Sequence, residues 1–103
     1  MLETFTLTTF NERVGDTFRV YVEAGEGLDA QLIEATSLSS KGPDGKEALR
    51  PRPPFSLIFR VPARRRLLQG IYKFENPTLG AFDVFMVPIG LDADGYRCEV
   101  IFT

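Results

Sequence analysis

From residue 55 onward the chain alternates between apolar and polar positions with a period of two, broken at regular intervals by turn residues. Four runs follow one another: 55–62 (FSLIFRVP), 70–75 (GIYKFE), 80–89 (GAFDVFMVPI) and 95–103 (GYRCEVIFT). Each is rich in Phe, Tyr, Val and Ile and bounded by Gly, Pro, Asn or Asp, which predicts strands. In the first run Phe55, Leu57, Phe59 and Val61 share one face, with Ser56, Ile58 and Arg60 on the other. In the last, Tyr96, Cys98, Val100 and Phe102 alternate with Arg97, Glu99 and Ile101. The run 80–89 is apolar on both faces apart from Asp83, which predicts a central strand with Pro88 at its end, because proline cannot donate to a ladder. Asn76-Pro77-Thr78-Leu79-Gly80 and Asp94-Gly95 read as the turns that join these runs.

The N-terminal half is less regular. Residues 17–23 (TFRVYVE) alternate, with Phe18, Val20 and Val22 on one face. Residues 29–38 (DAQLIEATSL) form a weaker strand, since adjacent Leu32 and Ile33 break the pattern, and a bulge there restores it. Thr9-x-x-Glu12 has the form of a capping box. It predicts one helical turn that ends at Gly15, with Phe10 and Val14 sharing its buried side. Residues 39–54 (SSKGPDGKEALRPRPP) are the one long irregular segment, with a turn at Pro43-Asp44-Gly45 and prolines that hold the following chain extended. Six or seven strands with short connections predict an all-β domain over residues 1–103, a small antiparallel barrel or a sandwich. Phe18, Phe55, Phe59, Tyr72, Phe85, Val100 and Phe102 are its expected core.

A chain of 103 residues is long enough to bury one core without covalent staples. No apolar run nears the roughly 20 residues that span a bilayer, so a membrane is not an expected partner. No basic stretch followed by an apolar one marks a signal peptide. Cys98 is the sole cysteine, which excludes an internal disulfide and fits a reducing cytoplasm. The net charge of −2 and pI near 5.1 disfavour nucleic acid as a partner. The charge is unevenly spread: between Ala48 and Phe74 lie seven cations (Arg50, Arg52, Arg60, Arg64, Arg65, Arg66 and Lys73) and no acid. Arg50, Arg52, Arg64, Arg65 and Arg66 are the candidate interaction residues. They sit on the two loops that flank strand 55–61, which spans about 23 Å, so they suit a broad contact better than a compact anion pocket. The simpler reading is of solvated loop tips that discourage edge aggregation.

Catalytic chemistry is sparse. With no histidine, a Ser-His-Asp or Cys-His system and a His-ligated zinc site are excluded. Asp92-x-Asp94-Gly95 starts like a calcium loop, but Tyr96, Arg97 and Cys98 follow where oxygen ligands belong. Gly42-Pro43-Asp44-Gly45-Lys46 lacks the spacing of a phosphate loop. Cys98, in phase with Tyr96 and Val100, reads as a small buried hydrophobe. Asp83, alone in its apolar strand, calls for a cross-sheet partner such as Arg60 or Lys73. No catalytic residue, metal or cofactor is expected.

Several ordered stretches carry a resemblance: Val14-Gly15-Asp16-x-Phe18, Phe55-Ser56-Leu57-Ile58-Phe59-Arg60-x-Pro62, Gln69-Gly70-Ile71-Tyr72, Leu79-Gly80, Phe85-x-Val87-Pro88-Ile89-Gly90 and Glu99-x-Ile101-Phe102. Together they resemble a family of small bacterial domains of unknown function with the pattern FSLxFRGP, PQGxY, LG, LFLVPIG and YEAVFN. Val61, Leu68, Cys98 and Thr103 depart from it, and Asn76 stands where that pattern has a histidine. The resemblance implies no established activity and points to companions of phage-tail-like genes. The expected function is a non-catalytic structural or protein-interaction module, an accessory of a phage-tail-like assembly, with a protein or a second copy of the chain as partner. The alternative is a barrel that binds a small anion or sugar, and the third is an enzyme built on carboxylates and tyrosines.

Overall fold

The computed structural model describes residues 5–22, 25–38, 54–64 and 66–102. Its first element is a short helix, α1 (Leu7–Asn11). The Thr6 hydroxyl accepts from the Thr9 amide at 3.4 Å, and the Thr9 hydroxyl accepts from the Thr6 amide at 3.1 Å. The capping box is therefore Thr6/Thr9, three residues before the predicted Thr9/Glu12 pair, because a threonine does at N3 what glutamate usually does. Phe10 is buried but Val14 is exposed, so the two do not share a face.

Six strands follow: β1 (Thr17–Tyr21), β2 (Gly27–Ser37), β3 (Phe55–Val61), β4 (Gly70–Asn76), β5 (Gly80–Asp92) and β6 (Gly95–Phe102). All pairings are antiparallel, in the order β1-β2-β3-β6-β5-β4, and β1 pairs with β4 to close a barrel. The alternating runs starting at residues 17, 55 and 95 form β1, β3 and β6, with β1 ending at Tyr21 and β3 at Val61. The register of β2 against β3 shifts between Leu32 and Glu34, so Ile33 is the predicted bulge. A second shift, between Pro88 and Gly90, falls inside β5. Pro88 thus sits beside a bulge rather than at the strand's end, another place where its missing donor is tolerated. At Gly95 φ is +125°, and a Cβ would run into the Val61 carbonyl oxygen; only glycine lets β6 start so close to β3.

The inner faces pack a dry, aromatic core. Phe59 is fully buried, with its ring edge-on to Phe18 at 5.1 Å and to Phe74 at 4.9 Å. Phe10, from α1, closes the end of the barrel where β3 starts and β6 ends, 5.8 Å from Phe55 and 5.3 Å from Phe102. Phe5 reinforces it, 5.2 Å from Phe82. Each such side chain contributes about 1.5–3 kcal/mol by leaving water, and each ring pair roughly 0.5–1.5 kcal/mol more.

Phe18, Phe55, Phe59, Val100 and Phe102 are core, as expected. Tyr72 is only half-buried, with its hydroxyl donating to the Leu68 carbonyl. Phe85 is 51% exposed. β5 is apolar on both faces because its outer face carries apolar residues into solvent, while Phe82, Val84 and Met86 point inward. Nor is β5 more central than its neighbours, since in a closed barrel every strand has two.

Candidate interaction surface

Among the described residues the interior is apolar apart from Cys98, Ser56 and Asn76. Cys98 is wholly buried between Val100 and Tyr96, and loss of water pushes its thiol up to about 12, so it is a packed hydrophobe rather than a nucleophile. The buried polar residues, Ser56 and Asn76, are both engaged in hydrogen bonds. Asn76 Oδ1 accepts from the amides of Thr78 at 2.8 Å and Leu79 at 3.1 Å, and Nδ2 donates to the Thr17 carbonyl. It folds the β4–β5 turn and ties it to β1, a structural task. Among the described residues no three His, Cys, Asp or Glu side chains gather as a metal site requires.

On the β1–β2–β4 side lies an open depression of about 350 Å³, lined by Thr17, Arg19, Asp29, Glu75 and Pro77. Its charges are already matched. Arg19 Nη1 donates to Asp29 Oδ1 at 2.8 Å, and Tyr21 Oη donates to Glu75 Oε1 at 2.9 Å. The bond to Asp29 and its charge raise the Arg19 pKa, and the bond to Glu75 raises that of Tyr21. The arginine and the tyrosine at this depression are thus each engaged by a carboxylate of a neighbouring strand.

The β4–β5–β6 side is different. Ile71 on β4 stands directly opposite Phe85 on β5, and both are exposed. Met86 pairs with Val100, so Phe85 and Ile101 are neighbours one rung further along the same outer face. Ile89 and Leu91, further along β5, are exposed too, as is Leu68 on the loop into β4. Of the eight large exposed hydrophobics among the described residues, six lie on β4, β5, β6 or the loop into β4, and of these Ile71, Phe85 and Ile101 adjoin on the outer face. Such clustering marks contact surfaces. Period-two reading missed it because Phe85 alternates with nothing polar.

A domain-of-unknown-function model, DUF6916, matches residues 5–102. The chain belongs to that family. No curated protein and no solved structure matches the chain. A family of this kind brings no activity with it, so the reading of this DUF6916 domain rests on its own residues.

Arg64 and Arg66 are exposed on the loop between β3 and β4. Arg50, Arg52 and Arg65 lie outside the described residues, as does the Pro43-Asp44-Gly45 turn. Asp83 faces solvent directly opposite Lys73, one of its two predicted partners; the other, Arg60, is on β3, separated from β5 by β6. Instead, Arg60 stands opposite Arg97 on β6, a juxtaposition of like charges that only the register reveals. No helix among the described residues is long and apolar enough to cross a membrane.

Proposed function

We propose that the domain is a non-catalytic protein-interaction module that engages its partner through the outer wall of β4, β5 and β6. The observation that carries this is the sector of exposed apolar side chains centred on the Ile71–Phe85 pair and Ile101. Barrel closure leaves the described strands no free edge for β-augmentation, and among the described residues the inner faces are filled by apolar and aromatic side chains. Face contact is what remains, and an aromatic flanked by aliphatics is the composition of an interface centre. The narrower reading, an accessory of a phage-tail-like assembly, is supported by the sequence resemblance.

The test compares the wild-type domain with the Ile71→Ser/Phe85→Ser double variant as bait in an extract of the producing organism, after circular dichroism has shown both to be folded. The reading expects a stoichiometric partner held by the wild type and lost from the variant. Identical retention by both baits contradicts it.

A further inference from the structure

One rung of the barrel's outer wall brings two arginines together. Thr17 pairs with Gln31, Gln31 with Arg60, and Arg60 with Arg97. Two half-exposed guanidinium-bearing residues are therefore cross-strand neighbours, an arrangement that costs stability. Acids on the neighbouring strands are engaged by other donors. Glu99 accepts from the Ser56 hydroxyl at 2.9 Å, Glu34 from the Thr36 hydroxyl at 3.2 Å, and Asp92 from the Asp94 amide at 2.9 Å. Neither arginine forms an ion pair with a described residue, whereas Arg13 and Arg19 do. Arg60 Nε is also shielded from solvent and has no hydrogen-bond partner among the described residues. A buried donor left unfilled is unusual and expensive. On the far side of Arg97 its β5 partner is Gly90, where even an added Cβ would meet nothing within 4 Å. The space beside the Arg97 position is open.

We infer that Arg60 and Arg97 form a carboxylate-binding site, occupied by an acidic side chain of the partner protein; this rests on the interaction reading above and adds the partner's chemistry to it. A carboxylate placed between the two guanidiniums relieves their repulsion, and its two oxygens match the planar fork of arginine. A rotation of the half-exposed Arg60 side chain turns its Nε edge to the surface, where the carboxylate supplies the missing acceptor. Exposed Arg64 and Arg66, on the loop just beyond β3, extend the positive field through which an acidic segment approaches.

Arginine side-chain Nε–Hε NMR resonances test this on the intact domain. They are followed during titration with hexaglutamate peptide and, separately, with inorganic phosphate. The expected result is saturable movement of the Arg60 and Arg97 signals with hexaglutamate, while Arg19, held by Asp29, stays still. Arg97→Gln should weaken this binding about tenfold, the loss of one charged hydrogen bond. Movement with phosphate alone would overturn the carboxylate assignment, and no saturable movement with either probe would overturn the site. Because the titration uses the wild-type chain, a variant that fails to fold cannot obscure the answer. Capture of a partner through Ile71 and Phe85 without hexaglutamate binding would refute this inference alone and leave the interaction reading standing.

Discussion

Two phenylalanines separate the inside of the barrel from the outside. Phe59 on β3 is fully buried between the rings of Phe18 and Phe74, whereas Phe85 on β5 is half-exposed beside Ile71. Truncating Phe59 to Ala removes an aromatic side chain and two edge-on ring contacts and leaves a void that a six-strand closed sheet collapses poorly. The expected cost is about 3–5 kcal/mol, a large part of the roughly 5–15 kcal/mol that holds a domain folded. Phe85→Ala loses one cross-strand apolar contact, worth roughly 0.2–1 kcal/mol. With a urea slope of about 1.5 kcal/mol per molar, the Phe59 variant's midpoint should fall by about 2–3 M. The Phe85 variant's should fall by less than about 0.7 M. Equilibrium urea unfolding followed by circular dichroism reads both. A slip of one residue in strand phase would exchange the inner and outer faces. Equal losses, or a larger loss for Phe85→Ala, would therefore refute the assignment.

Other expectations follow from the same packing. The Cys98 thiol should resist alkylation at pH 8 until the protein unfolds. Because burial lifts it from 9.0 to about 12, the unfolded chain loses this proton first. The stabilisation is thus fully present below pH 9 and lost as pH rises towards 12. Between pH 9 and 10.5, urea unfolding of the wild type should lose roughly 1 kcal/mol per pH unit more than Cys98→Ala; equal slopes would contradict the burial. Asn76→Ala strips the turn amides of Thr78 and Leu79 of their acceptor and should cost about 1–3 kcal/mol, read by thermal unfolding. Replacing Arg64, Arg65 and Arg66 together by Ser should change stability by no more than about 0.5 kcal/mol. It should weaken partner binding in a salt-dependent way, measured by calorimetry at low and high salt.

Much of the fold was legible because alternation is a local signal. β1, β3 and β6 show their inner faces directly, and the adjacent Leu32 and Ile33 betray the β2 bulge. The helix was displaced by one turn because its capping box uses a threonine in place of glutamate. Phe85 was placed inside because β5 is apolar on both faces, and alternation says nothing when neither face is polar. Closure through β1 and β4 joins segments more than 50 residues apart in the chain. The meeting of Arg60 with Arg97 depends on the long-range register of β3 and β6. Neither leaves a trace in local pattern. Of the five arginines that charge density singles out, Arg64 and Arg66 are exposed loop residues, and Arg50, Arg52 and Arg65 lie outside the described residues. Arg60 and Arg97, which form no ion pair with a described residue, lie within strands, where each looks like an ordinary outward-facing residue.

The central claim, that this barrel works through its β4–β5–β6 wall, is tested most directly by site-specific photo-crosslinking. A benzoylphenylalanine would replace Ile71, Phe85 or Ile101 on that wall, or Asp29 or Pro77 at the depression on the opposite wall, in cells of the producing organism. Adducts of one common mass from positions 71, 85 and 101, absent from 29 and 77, are the predicted result. That same adduct from 29 and 77 instead, with none from the apolar sector, would contradict the account.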